Sequence, residues 1–302
     1  MKAAERRRDR TDIRRAMTNK AVAGIAVIGG SGLYSMRELE NVRELRVRTP
    51  FGDPSDKFIL GRLSGVPVAF LPRHGRGHTL LPGEINQRAN MWALSSIGVK
   101  TVISASAVGS LREELAPADF VFPDQFVDET RGRAATFFGG GIVGHVPLAE
   151  PFCAALSGLL YKEALVLGIK SHLGGTYACM EGPGFSTRAE SDHHRKMGYS
   201  VIGMTVATEA KLAREAGFHY APVSLVTDYD CWKAGEEVSK DKVIATLNKN
   251  IENIRRLIVR AVPLAAQAGC RADCSGLMKN SVLTRKEHFP PKPYKALKPL
   301  LG

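Results

Sequence analysis

A chain of 302 residues with 44% hydrophobic content is long enough to bury one sizeable core, and none of its apolar runs approaches the roughly 18 residues that span a bilayer. The formal net charge of +12 invites a nucleic-acid reading, yet residues 1–20 hold eight Lys/Arg against three acids and residues 270–302 hold seven against two, which leaves +2 for everything between. The basicity therefore belongs to the ends, and the body has no polyanion-binding composition; the N-terminus has no apolar signal core, and Glu5, Asp9 and Asp12 argue against a mitochondrial presequence. The chain reads as cytoplasmic, without nucleic-acid or membrane partners: a basic, flexible extension over 1–20, a single domain over 21–269, and a basic Pro/Lys-rich tail over 270–302.

Short β-branched runs alternate with amphipathic stretches, the pattern of an α/β fold with a covered sheet. A strand over Ile25–Ile28 runs into Gly29-Gly30-Ser31-Gly32-Leu33, where consecutive N–H groups and the Ser31 hydroxyl can form an anion nest. The spacing is neither G-x-G-x-x-G nor a Walker loop. Strand Val66–Leu71 leads into Pro72-Arg73-His74-Gly75-Arg76-Gly77-His78, a loop with donors suited to phosphate, and Gly75 and Gly77 keep His74 and His78 off the helix that a metal pair would need. A helix is predicted over Ile85–Ile97. Strand Thr101–Ala105 opens into Ser106-Ala107-Val108-Gly109, small residues against which a ligand can lie.

Beyond these, strands are predicted over Phe120–Phe122, Gly175–Cys179, Val201–Met204 and Tyr220–Val226, and helices over Pro151–Leu167, Arg188–Met197, Glu209–Ala216 and Lys240–Val262. The last helix shows an apolar stripe at helical spacing, read as core packing. Met204-Thr205 closes one strand with a sulfur and a hydroxyl. Asp228-Tyr229-Asp230 closes another; if the chain stays extended there, residues i and i+2 point the same way and two carboxylates can grip one planar ligand, while the rival reading is a turn with solvated acids. The five cysteines, Cys153, Cys179, Cys231, Cys270 and Cys274, lack a paired ligand pattern, so no metal is expected and the thiols are read as free, although Cys270 and Cys274 are close enough to bridge under oxidising conditions.

Taken with Thr49-Pro50-Phe51-Gly52, Gly109-Ser110-Leu111-Arg112, Glu150-Pro151-Phe152-Cys153, Glu181-Gly182-Pro183, Phe185-Ser186-Thr187-Arg188-Ala189-Glu190-Ser191 and Thr227-Asp228-Tyr229-Asp230-Cys231-Trp232-Lys233, these loops give the chain its likeness to known enzymes. Over residues 24–269 it resembles the methylthioadenosine phosphorylases of the trimeric purine nucleoside phosphorylase family. The resemblance implies a purine nucleoside phosphorylase-like three-layer α/β fold with a central mixed, partly closed sheet flanked by helices, assembled as a homotrimer. It also implies phosphorolysis of methylthioadenosine to adenine and 5-methylthioribose 1-phosphate, in purine and methionine salvage, with no cofactor and with inorganic phosphate as co-substrate.

By motif, the resemblance gives Ser31, Arg73, His74, Ser106, Thr205 and the Ala107 N–H to phosphate, and Met204 to the ribose. Phe185 packs on the purine, and Asp228 and Asp230 read and protonate the base. His145 of a neighbouring subunit, with Val243 and Ile244, lines the 5′-substituent pocket. Lys240 near that pocket and Gly203 before Met204 depart from the family pattern. Two alternatives stay open: a nucleoside phosphorylase preferring adenosine, inosine or methylthioinosine, and a nucleic-acid-binding protein acting through its basic ends.

Overall fold

The computed structural model describes residues 21–30, 32–33, 36–233, 240–268 and 274–301, without the side chains of 240–244 and 279. The expectations for residues 1–20, Ser31 and Cys270, and for the side chains of Lys240, Val243 and Ile244, lie outside the described residues.

Eleven strands form one mixed sheet: β1 (Ile25–Gly29), β2 (Glu40–Leu45), β3 (Phe58–Leu63), β4 (Val66–Pro72), β5 (Thr101–Ser110), β6 (Phe120–Phe122), β7 (Gln125–Asp128), β8 (Ser171–Leu173), β9 (Thr176–Cys179), β10 (Val201–Gly203) and β11 (His219–Asp228). The central path is β2-β3-β4-β1-β5-β10-β9-β7, and the sheet branches at β5, which also pairs with β11; β11 continues to β6 and β6 to β8. Strand β5 is the axis of the fold. It lies parallel to β1 over Thr101–Ser104 and to β11 along most of its length, then turns its last residues to antiparallel β10, with Ser110 opposite Val201. The sheet is mixed and flanked by helices, as the family resemblance implies.

The central strands are apolar because both faces are covered: all five residues of β1 are buried, and so are eight consecutive residues of β11, from Tyr220 to Thr227. Helices α1 (Gln87–Ser96), α2 (Ala154–Val166), α3 (Arg188–Lys196), α4 (Val206–Glu215), α5 (Lys240–Gln267) and α6 (Pro291–Leu301) flank the sheet. Two core clusters lie on its two faces, one with Met91, Leu94, Val206, Ala210 and Leu212 from α1 and α4, the other with Leu156, Leu160, Ile254, Leu257 and Ile258 from α2 and α5. The predicted stripe of α5 is core at Ile254, Leu257 and Ile258, while Leu247 and Ile251 are half-buried. Among the described residues no helix is long and apolar enough to cross a membrane.

Two boundaries shift in ways that matter for the site. Helix α4 begins at Val206 instead of Glu209, so Thr205 becomes its N-cap and Glu209 falls inside the first turn. Residues from Cys274 onward pack on the domain: Leu297 and Leu300 of α6 are buried, and Ala296 O accepts from Trp92 Nε1 of α1 at 2.7 Å.

Candidate active site

Most of the described residues singled out in the sequence lie at the C-terminal ends of β4, β5 and β11 and on the loop after β10. In open α/β sheets this is where ligands bind.

Arg73, immediately after β4, is 2% exposed. Its guanidinium faces inward: Nε pairs with Glu209 Oε1, Nη1 donates to Ala105 O at 2.9 Å, and Nη2 donates to Ser104 Oγ at 2.6 Å and to Glu209 Oε2 at 3.4 Å. A guanidinium has five N–H groups, so one is left over. Glu209 also accepts from Ser104 Oγ at 2.6 Å, Tyr220 Oη at 3.0 Å and Gln87 Nε2 at 3.4 Å. Burial works against the charge on Arg73, but the Glu209 carboxylate outweighs it and raises the arginine's pKa. The cation is thus neutralised and fixed from behind.

His74 follows on the loop. Its Nδ1 lies 2.9 Å from Leu80 O and its ring stacks on His78 with centroids 4.3 Å apart. Burial pulls its pKa down to about 4, helped by Arg73 and opposed by the Leu80 carbonyl. A neutral ring that donates Nδ1–H to a carbonyl leaves Nε2 as an acceptor. Among the groups of a loop whose sequence suggests donors for phosphate, His74 therefore presents an acceptor.

On β5, Ser106 Oγ is buried without a partner among the described residues, while Ala107 is exposed. Thr205 is 4% exposed, and although it is the N-cap of α4 its hydroxyl makes no capping bond and has no partner among the described residues. An N-cap threonine ordinarily spends its hydroxyl on its own helix. Here that hydroxyl, and the positive end of a ten-residue helix, are left for something else. Met204, beside it, is half-buried against Gly182, and its carbonyl accepts from Arg133 Nη1 at 2.5 Å.

Three residues further along β5, about 10 Å at strand rise, Gly109 meets the aspartate pair. A Cβ there would lie 3.2 Å from Asp228 Oδ1 and 3.3 Å from Asp230 Cβ, so the strand's missing side chain admits both acids. The pairing of β11 with β5 shifts register between Val226 and Asp228, and Asp230 has φ 52, in the left-handed region. The extended reading of Asp228-Tyr229-Asp230 is therefore corrected: the chain turns, and Asp228 Oδ1 accepts the Asp230 N–H at 2.8 Å while Oδ2 accepts from Thr227 Oγ1 at 2.7 Å. The rival picture of solvated acids fails too, because Asp230 is 9% exposed and its Oδ2 is buried without a partner among the described residues. Burial raises the Asp228 pKa, the Thr227 and Asp230 hydrogen bonds oppose this, and the Asp230 charge adds to it.

Two predicted residues stand apart. Phe185 is 85% exposed. His145 is also exposed, on a loop whose backbone joins Ser281 O at 2.8 Å, and it makes no hydrogen bond to the groups above. Three residues were missed. Glu209 opens the predicted helix Glu209–Ala216 with no role assigned to it, and the apolar and small residues around it, Val206, Ala207, Ala210, Leu212 and Ala213, are the signal of its burial. Arg133 ties Met204 O to Glu181, whose carbonyl and carboxylate accept at 2.5 and 3.0 Å. Tyr177 is the third.

A cluster with metal-ligand chemistry, Cys153, His219 and Cys274, lies at the other end of β11 from Asp228, where Arg214 Nη1 sits 3.9 Å from the Cys274 sulfur.

Residues 24–263 match the phosphorylase superfamily. An S-methyl-5'-thioadenosine phosphorylase of Geobacter sulfurreducens is 50% identical over 92% of this chain and 98% of its own length, and one of Hyperthermus butylicus is 50% identical over 84% and 92%. The crystal structure of a methylthioadenosine phosphorylase from an antarctic soil metagenomic library superposes with a TM-score of 0.91 at 46% identity, covering 94% of this chain and all of the other. The Schistosoma mansoni methylthioadenosine phosphorylase in complex with adenine gives 0.80 at 36% identity, over 88% and 99%. With this sequence likeness and a common fold, the chain belongs to the phosphorylase superfamily, among its S-methyl-5'-thioadenosine phosphorylases.

Proposed function

We propose that the chain cleaves S-methyl-5'-thioadenosine with inorganic phosphate, giving adenine and 5-methylthioribose 1-phosphate. The observation that carries this reading is the polarity along β5: buried hydroxyls without partners among the described residues at Ser106 and, from the loop after β10, at Thr205, and, three residues along the strand from Ser106, the half-buried Asp228 and buried Asp230 carboxylates. One end suits an oxyanion and the other a base with donors.

Phosphate would take hydrogen bonds from Ser106, Thr205, the Ala107 N–H and the spare Arg73 N–H, and would donate a hydrogen bond from its own P–OH to His74 Nε2 while keeping that proton; Ser31 belongs to the same set by motif. A phosphate oxygen attacks C1′ as the C1′–N9 bond breaks, and the bonding pair leaves with the purine. The dianion stabilises the cationic sugar, against which Met204 lies, and Asp228, with its raised pKa, donates a proton to N7 so that adenine departs neutral. Asp230 Oδ2 accepts from the 6-amino group. All of the chemistry runs through phosphate and side chains, with no metal or organic cofactor in the scheme.

His145 and Phe185, exposed within one chain, fit a homotrimer in which His145 reaches the 5′ end of a neighbour's substrate and Val243 and Ile244 cover its methylthio group. A reducing cytoplasm suits the buried thiol of Cys179, which burial pushes up to about 12.

A nucleoside phosphorylase acting on adenosine or on 6-oxopurines is the second reading; Asp230 discriminates against the 6-oxopurines, and adenosine differs only at the 5′ substituent. A 6-oxo group would set acceptor against acceptor, at a cost of about 1–3 kcal/mol, or roughly ten-fold or more. Base release from methylthioadenosine, adenosine, methylthioinosine and inosine, with and without phosphate, should show methylthioadenosine first and strict phosphate dependence, and Asp230→Asn should move preference towards the 6-oxo pair. Inosine cleaved as well as methylthioadenosine by the unaltered protein would refute the base assignment.

A further inference from the structure

Strand β9 pairs in parallel with β10, Tyr177 opposite Val201, so Gly203 lies diagonally on the same face. A Cβ on Gly203 would collide with the Tyr177 hydroxyl. Only glycine lets the phenol pass beneath the end of β10 to reach the start of α4. The ring arrives fully buried, with its hydroxyl next to those of Ser106 and Thr205, both of which favour its ionised form. Nevertheless no two of these three are in hydrogen-bonding geometry, and each lacks a partner among the described residues. Buried polar atoms are ordinarily satisfied, so three that share one spot mark a place built for a guest with several acceptor oxygens. Burial, then the neighbouring Cys179, push the phenol's pKa upward, so it stays a neutral donor.

We propose that Tyr177 is a third hydroxyl of the phosphate site, donating to the oxyanion beside Ser106 and Thr205 in the space that Gly203 leaves open. This rests on the phosphate reading above. The tyrosine keeps its proton throughout; its part is to hold one phosphate oxygen while another attacks, and it makes a neutral cradle more selective for a tetrahedral anion.

Tyr177→Phe deletes one oxygen and leaves the ring under Gly203. Inorganic phosphate alone is the probe, titrated by calorimetry and by its effect on melting temperature, with Ser106→Ala as the parallel variant. The expected result is a phosphate Kd weakened by roughly 10- to 100-fold, as for a hydrogen bond to a charged group, an unchanged KM for methylthioadenosine, and a melting temperature without phosphate that is equal or higher. A phosphate Kd within two-fold of the original, or a lower melting temperature with Kd unchanged, overturns the assignment. The two levels separate cleanly: if the unaltered protein shows no response to phosphate, the phosphate site itself falls, whereas weakening in Ser106→Ala without weakening in Tyr177→Phe removes only the tyrosine.

Discussion

Asp228 shows how one side chain is tuned by competing neighbours. Two hydrogen bonds, from Thr227 and from the Asp230 N–H, favour its carboxylate, and burial with the Asp230 charge favours the acid; the balance is a raised pKa. Because the folded value lies above the unfolded one, the stability this group contributes is complete below the unfolded value near 3.9 and is lost as pH rises through the folded one. A proton donor follows the same sign: activity that needs the acid falls as pH passes its pKa. Asp228→Asn should therefore lower kcat on the order of 10²-fold or more and abolish the alkaline limb of the pH–rate profile that this group sets. An unchanged limb in the variant would assign the titration elsewhere. The residue types were legible from the sequence, since hydroxyls, arginine and paired acids at strand ends have few other uses in combination. Their geometry was not. The left-handed φ of Asp230 and the carbonyl that fixes the His74 tautomer arise from contacts with residues distant in the chain or from a local turn that composition does not announce.

The elements divide along similar lines. Strand β6 is found to the residue, and β1, β4, β9 and β11 to within one or two, because both faces are buried and the apolar run is continuous. Strand β5 runs five residues past its predicted end, since Ser106 to Ser110 are, Val108 apart, poor strand formers and are held extended by β11 and β10. Strand β2 escapes notice because its first five residues are exposed on a sheet edge, and β7 because all four are half-buried. Helix α6 carries Pro291, Pro293 and Pro299 and three lysines, the composition of a tail; tertiary packing of two leucines decides it. Leu297→Ala should then cost about 2–5 kcal/mol, as for other buried leucines, read as a lower urea midpoint at constant slope. A midpoint that does not move would mean α6 contributes nothing to the folded state.

For the whole molecule, the trimer can be tested by mass. Phe185, Val143 and Leu148 are large apolar groups left exposed on the single chain, more than half-bare in the first case, as expected of surfaces that another copy covers. Light scattering should give three chains per particle, and dilution to monomers should cost activity if His145 is supplied by a neighbour; full activity in a monomer would refute that arrangement. The basic C-terminal end also acquires a plainer meaning, because α6 is anchored and cannot act as a free polycation.

The Arg73–Glu209 pair has a kinetic consequence. In the proposed phosphate site, the Arg73 cation is already balanced from behind, so an anion there would be drawn through dipoles more than through net charge. Such a site would release a doubly charged sugar phosphate more readily than a bare guanidinium would. Turnover would then be protected from product clinging to the site, and occupancy would follow the ambient supply of phosphate, with slower cleavage expected when phosphate is scarce.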